Sequence, residues 1–360
     1  MKITAVNAYP TTVPVSAPYV WRDGLPGSPE RYDVTWLHIA TDEGIDGFSY
    51  VDRGEIAVDL TQRCLRPLLI GEDPLKKELL WHRVWELDRI EELPIYFLGA
   101  ADIALWDITA KAAGLPLYVL LGGYDERVPA YASTATFPST EAFLDVIDQC
   151  LDHGFKAVKL HAWGDYRRDA ALCQAVREHV GDEIDLMYDG SAGFNPYEAV
   201  YVGRSCEAAG YRWYEEPLRE FNISAYRRLC ETLDIPILAA ETADGCHYIA
   251  GEFILAGAAD MVRTGADFRG ITGSLRVAHL ADAFQMNAEL HGGGLPNVHL
   301  AAAIRNNSYY ESMVLTNPIN VEKGVQADGY IRAPSGPGIG FAVDVEMLRR
   351  GHGVAEYFPV

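Results

Sequence analysis

Asp189, Glu215 and Glu241 follow one another at intervals of 26 residues, and each closes a short apolar run: IDLMYD, RWYE and ILAAE. A carboxylate at the end of one strand after another is what successive βα units deliver to the open C-terminal face of a parallel barrel. Three carboxylates meeting there repel one another unless a cation lies among them. The spacing therefore points to an oxygen-ligated divalent ion, Mg²⁺. One acidic residue in a βα loop would say little, because Asp and Glu are common there; three in register favour a metal site.

The run KAVKLH sets Lys159 and His161 two residues apart, on one face of a strand, with Val158 and Leu160 on the other. A lysine in a barrel mouth is costly unless it meets an anion. Lys159 is expected to neutralise a substrate carboxylate rather than pair with a structural acid. His161 is expected to move a proton, since histidine titrates nearest neutral pH. The seventh strand of such a barrel ends AELH at His291, across the ring from the second, so the two histidines could flank one carbon. That arrangement suits α-proton exchange or acid–base elimination. Three glycines follow His291 and would let backbone approach a ligand closely. Glu311, closing the last strand (SYYE), is expected to be a proton-bearing donor to an enolate oxygen. Asn297 and His299 are weaker candidates, expected to begin the next helix.

The elements that must hold these residues alternate. From Val128 onward, strand ends are expected near Ser133, His161, Asp189, Glu215, Glu241, Thr264, His291 and Glu311. Helices are expected between them, for example over 140–153, 166–180 and 271–284. Eight strands in about 200 residues suit a (β/α)8-type barrel. No Gly-rich dinucleotide fingerprint follows a strand, as an open doubly wound sheet of that type would need. HGGGLPN (residues 291–297) looks like an oxyanion-hole loop, yet no GxSxG elbow accompanies it. Before the barrel, two strand-like stretches (3–9 and 35–41) flank a Pro- and Gly-rich loop. Helical patterns follow over 74–90 and 98–113, the latter stopped by Gly114-Leu115-Pro116. The chain is thus expected to divide into an α+β unit (1–124), a barrel (125–330) and a C-terminal segment (331–360) packing back on the first unit.

The 360 residues, 49% of them hydrophobic, allow one large and one smaller unit with well-buried cores. A formal charge of −21 excludes the basic footprint that nucleic acid or an anionic membrane requires. An anionic substrate would then need local capture by a metal and a few cationic side chains. Six scattered cysteines without a CxxC pair read as reduced, packed thiols. With no export or spanning segment visible, a soluble cytoplasmic protein is expected.

Together these residues resemble the enolase superfamily, mandelate racemase subgroup. IALWDITAKAAGLPLYVLLGG (103–123) looks like that family's cap-to-barrel junction. GFKAVKLH (154–161), WYEEPL (213–218) and the Ala240-Glu241 strand end match in the expected order. The resemblance covers essentially the whole chain. It implies an α+β cap over a modified (β/α)7β barrel, with one Mg²⁺ held by Asp189, Glu215 and Glu241. Glu216 adjoins Glu215 but points to the opposite face of the strand, and the choice of Glu215 rests partly on this resemblance. The family's shared step is removal of the proton α to a carboxylate, giving a metal-stabilised enediolate; here Lys159 would share that stabilisation.

Two departures from the subgroup stand out. Its second-strand motif usually reads KxK with the latter Lys as a base, whereas here it reads Lys159-Leu160-His161. Its strand-seven His usually pairs with an Asp at the end of strand six; here Gly265 falls about there, and Arg263, Thr264 or Asp267 must fill the gap. Without such a partner, His291 would act more naturally as an acid than as a base. The cap loops 18–31 and 50–55 should set specificity. Trp21, Arg22, Asp52 and Arg53 are expected to contact a polyhydroxylated chain, with Arg263 and Asp267 contributing from the barrel. The leading expectation is dehydration of a sugar acid to a 2-keto-3-deoxy acid, on a small-molecule carboxylate substrate, by a homo-oligomer. The second is racemisation, epimerisation or cycloisomerisation through the same intermediate. A barrel that keeps its metal but has lost turnover is the third.

Overall fold

The computed structural model describes residues 1–15 and 17–351. Alternating residues near the N-terminus build an antiparallel sheet of β1 (Ile3–Pro14), β2 (Arg31–Thr41) and β3 (Gly47–Val51), in that order. The face carrying Val6, Leu37 and Ile39 is buried in one core with Leu80, Trp81 and Val84 of the helix Lys77–Glu91 and Phe97, Ala101 and Leu105 of the helix Ile95–Ala113. Gly47 permits the close approach: a methyl added there would lie 2.0 Å from the Ala104 carbonyl oxygen. The long helix stops at Gly114, in the left-handed region at φ 68°.

Eight parallel strands follow. They are β4 (Arg127–Thr134), β5 (Ala157–His161), β6 (Asp185–Asp189), β7 (Trp213–Glu215), β8 (Ile237–Ala239), β9 (Met261–Thr264), β10 (Ala288–Leu290) and β11 (Tyr310–Val314). Each neighbour in sequence pairs with the next from β4 to β10, and β11 returns to pair with β4. A helix links each of the first seven strands to the next, and the eighth leads instead to a further strand, so this is a (β/α)7β barrel. Between β10 and β11 the ring is bridged by side chains. Glu289 accepts from Ser308 N at 3.0 Å and Ser308 Oγ at 2.7 Å, and Asn307 Oδ1 accepts from Leu290 N at 3.0 Å. Short polar signals start the helices, including Ser139, Asp165 and an Asn195–Glu198 capping box.

Two seams join cap to barrel. Asp102, on the long cap helix, accepts from Thr272 N and Oγ1 at 2.8 and 2.7 Å, where the helix Ala266–Ala283 is broken at Gly270. That break and an earlier start distinguish this helix from the uninterrupted 271–284 expected. The second seam is the run after β12 (Tyr330–Arg332), a strand antiparallel to β4. Gly338 N donates to Leu115 O, and Ile339 N donates to Asp107 Oδ1 at 2.9 Å on the cap helix. Ile339 O faces His299 Nε2 of the barrel at 3.0 Å. Residues 352–360 of the expected C-terminal segment lie outside the described residues. Among the described residues, no helix is long and apolar enough to cross a membrane.

Candidate active site

The register of the barrel sets three of the expected residues at one height: His161 opposes Asp189 across β5–β6, and Asp189 opposes Glu215 across β6–β7. Glu241 arrives differently. β8 ends at Ala239, and Ala240 turns left-handed at φ 70° before Glu241. Glu216 (φ 37°) and Ser191 (φ 45°) occupy the same region just after the other two carboxylates. Such residues cost about 1–3 kcal/mol each and are retained where surrounding structure over-determines them.

Asp189, Glu215 and Glu241 offer oxygens that all lie within 4.8 Å of one another. Burial and the neighbouring Asp189 and Glu215 push Glu241 up to about 7. Glu215 Oε1, fully buried, accepts no aligned hydrogen bond and has the Arg263 Nε beside it at 2.7 Å. Glu216 is not one of the three converging carboxylates, yet it lines the same cavity rather than the opposite face expected: its Oε1 accepts from Glu241 N at 3.2 Å, and burial pushes its carboxyl well up, toward the neutral form. Around the centre, Asp189, Glu215, Glu241 and Glu311 then face two permanent cations, Lys159 and Arg263. An oxygen-only donor set whose carboxylates outnumber the neighbouring cations fits a hard divalent cation.

Lys159 is almost fully buried, with Nζ 2.9 Å from Glu215 Oε2, 2.8 Å from Glu311 Oε1 and 3.4 Å from Asp189 Oδ2. Burial and Arg263 oppose its charge, yet Glu215 and Glu311 outweigh them and hold the ammonium well above its ordinary range. Its position is beneath the carboxylates, where it balances them. Glu311 is not the last residue of β11 but its second, and so sits deeper than expected. Its Oε2 meets Arg263 Nη2 at 2.7 Å and accepts from Gly292 N at 2.7 Å. Against burial, Lys159 and Arg263 hold its carboxyl well below the usual range, so in this arrangement it has no proton to donate.

Arg263 is wholly buried, donating to Leu290 O, Tyr131 Oη and Glu311. It is a counter-ion inside the barrel, out of reach of a substrate in the mouth, contrary to the sequence expectation. Arg53 also points elsewhere, over the Tyr96 ring at 4.6 Å. Arg22 donates from Nε to Ser191 O at 2.9 Å, fastening the cap loop to the loop after β6.

His161 and His291 line the same cavity of about 310 Å³ with Asp189, Glu241 and Glu311. His161 Nδ1 is 2.7 Å from Thr134 O and Nε2 is 3.1 Å from Asp189 Oδ2. A backbone carbonyl can only accept, so Nδ1 carries hydrogen, while Nε2 faces the Asp189 carboxylate at the cavity wall. His291 Nδ1 lies 3.1 Å from Asp267 Oδ2, and its Nε2 lies 3.4 Å from Glu241 Oε1. Burial opposes protonation, but Glu241 and Asp267 outweigh it and raise His291 to about 9. The gap left by Gly265 is therefore filled by Asp267, two residues on. Trp21 covers the mouth with its ring 4.6 Å from the His161 ring, and Asp52 reaches an adjoining lobe.

Sequence reasoning passed over several residues. Thr134 acts through its carbonyl, which no residue type signals. Tyr131 lies below Lys159, 5.4 Å from its ammonium. Asn297, by contrast, is among the weaker sequence candidates, and it holds the loop after β10, donating to the carbonyls of His291, Gly292 and Gly293 and accepting from Ala266 N. His299, as its weak ranking suggested, is internal: Tyr118 N donates to Nδ1, and burial pushes the ring down to about 4.

A capped (β/α)7β barrel with three carboxylates, a buried lysine and two rim histidines at its C-terminal face defines an acid–base enzyme scaffold. Residues 143–347 match the enolase C-terminal domain-like family, and residues 27–122 match the mandelate racemase / muconate lactonizing enzyme N-terminal domain. The chain belongs to the enolase superfamily, in its mandelate racemase / muconate lactonizing enzyme group. It is 30% identical to an L-talarate/galactarate dehydratase of Salmonella typhimurium, over 86% of this chain and 79% of that one. It is 29% identical to an arabinonate dehydratase of Saccharolobus solfataricus, over 86% of this chain and 88% of that one. The crystal structure of a D-glucarate dehydratase from Agrobacterium tumefaciens, complexed with magnesium, superposes with a TM-score of 0.85 at 30% identity, covering 97% of this chain and 98% of that one.

Proposed function

We propose that this protein is a Mg²⁺-dependent sugar-acid dehydratase that removes the proton α to a carboxylate and expels the β-hydroxyl, leaving a 2-keto-3-deoxy acid. The observation that carries the reading is the pair of histidines on one cavity with the acidic triad. His161 is oriented by the Thr134 carbonyl and His291 by Asp267. Asp189, Glu215 and Glu241 would hold Mg²⁺, which when bound supplies positive charge to the substrate carboxylate as it becomes electron-rich. His161 Nε2 takes the α-proton, and the electron pair left on the α-carbon forms the double bond as the C3–O bond breaks. His291 delivers a proton to that oxygen, which departs as water, and the enol tautomerises to the keto acid. Lys159 adds its charge from below and, with Arg263, keeps Glu311 and Glu215 fixed.

A specific observation favours a second reading. Asp267 restores the carboxylate–histidine pair that strengthens a base, so two opposed histidines also suit a racemase, epimerase or cycloisomerase. Proton NMR in D₂O with Mg²⁺ and a panel of sugar acids separates the two. α-Exchange with a new methylene signal establishes the dehydratase, and exchange or epimer alone establishes the isomerase. Tight Mg²⁺ binding without exchange leaves only a binding protein. The net charge of −21 weighs against nucleic acid as partner and leaves a small carboxylate to be captured locally, in an enzyme we place in the cytoplasm. Exposed Phe221, Tyr248 and Leu255 supply apolar surface for a homo-oligomer, which light scattering would detect.

A further inference from the structure

The cavity over the carboxylates continues into a second lobe. Trp21, His291 and Met313 line both parts, and the second, of about 230 Å³, runs between cap and barrel. Its walls are largely apolar, with Val15, Val34 and Leu315 beside the rings of Tyr19, Tyr32 and Tyr50. Its acidic groups are Asp52 and Asp267, the latter already facing His291. Among the described residues that line it there is no lysine or arginine.

The cations nearby are committed elsewhere. Arg22 is fastened to Ser191 O, and Arg53 lies over Tyr96. Arg263 is sealed among the carboxylates of the barrel. Arg219 lines only the first lobe and donates to Glu220. A substrate whose reacting carboxylate lies at the triad would extend its far end into the second lobe. A second carboxylate there would be stripped of water and brought toward Asp52 and Asp267, and His291, the one cation lining the lobe among the described residues, is already paired with Asp267 and Glu241. An uncharged chain loses nothing of that kind, and an apolar terminus gains from the aromatic and aliphatic walls.

We propose that this lobe is a distal subsite selecting monocarboxylic hydroxy acids with an uncharged, apolar far end, terminally deoxygenated (methyl-ended) aldonic acids above all, and rejecting dicarboxylic aldaric acids. The inference rests on the dehydratase reading of the adjoining lobe. It also divides the known relatives, whose names include dehydratases of both mono- and dicarboxylic sugar acids.

The test uses the Mg²⁺-loaded enzyme and matched acids of one stereochemistry: an aldonate, its terminal deoxy counterpart and the corresponding aldarate. kcat/KM is read by NMR in D₂O, and binding is read separately from the shift in thermal unfolding. The deoxy acid is expected at least about 10-fold above the aldarate in kcat/KM, the scale on which a site left with an unpaired buried charge discriminates. Asp52→Asn should narrow that gap. An aldarate turned over as well as the monoacids would overturn the subsite. Selective binding of the monoacids without turnover would support the subsite and sink the dehydratase reading, whereas no preference in either measurement would sink the subsite itself.

Discussion

Asp267 holds its carboxylate 3.1 Å from His291 Nδ1, although the two residues leave different strands and lie 24 positions apart. The contact fixes which ring nitrogen faces the cavity and strengthens the ring as a proton carrier. Asp267→Asn should therefore lower kcat by about 10–100-fold with little change in KM. His291→Asn should lower it further. Single-turnover α-exchange followed by NMR checks both, and an Asp267→Asn enzyme as fast as wild type would remove Asp267 from the mechanism.

Mg²⁺ should stabilise the fold through Asp189, Glu215 and Glu241. At a metal concentration 100 times Kd the gain is about 2.7 kcal/mol, visible as a rise in Tm. Asp189→Asn and Glu241→Gln should each abolish most of that rise. This readout is independent of turnover, and a metal response unchanged in both variants would mean the ion sits elsewhere.

Arg22 closes the mouth by gripping Ser191 O while packing against Gly164 and Gly193. Arg22→Ala should raise KM on the order of 10-fold, the worth of one charge-assisted hydrogen bond. The Mg²⁺-dependent rise in Tm should survive. Steady-state kinetics beside thermal unfolding separates the two effects.

Asp102 is buried beneath the kink at Gly270, and burial raises its carboxyl from 3.8 to about 6 against the hydrogen bonds from Thr272. A raised carboxylate pKa means that the folded state binds the proton more tightly than the unfolded chain. The contribution to stability is thus full below pH 4 and lost as pH rises through about 6. The difference corresponds to roughly 3 kcal/mol. Asp102→Asn should flatten the stability profile between pH 4 and 7 in urea titrations. A variant with the same slope as wild type would show that other groups carry it.

Gly47→Ala drives a methyl into the Ala104 carbonyl and the Ile108 side chain. Overpacking of this kind typically costs about 1–3 kcal/mol. A shifted urea midpoint at constant slope would register it, and a midpoint within error of wild type would mean that β3 slides freely on the helix.

Periodicity exposed the barrel because every strand end repeats one pattern, and the spacing of Asp189, Glu215 and Glu241 follows from equal βα units. What escaped it were local geometries. Glu241 lies two residues past the end of β8 and is brought back by the left-handed Ala240. Asp267 stands two residues after the position expected for a histidine partner, and only the turn after β9 shows that it still reaches His291. Arg263 looked like a substrate contact because a charge on a strand invites function, yet alternation turned it into the interior, where Glu215 and Glu311 neutralise it. Glu311 read as the end of its strand, but the strand continues to Val314 and leaves it a clamped carboxylate deeper in the barrel. Thr134 contributes a backbone atom that every residue possesses.

The run 338–339 binds Leu115, Leu117 and Asp107 of the cap-side helices while its own carbonyl meets His299 of the barrel. Structurally, the cap is assembled from both extremities of the described chain. A chimaera that transplants residues 1–124 alone onto a foreign barrel would leave Asp107 Oδ1 without the Ile339 amide and the Leu115 carbonyl without the Gly338 amide. Anyone recombining specificity modules on this scaffold must move the two ends as a matched set.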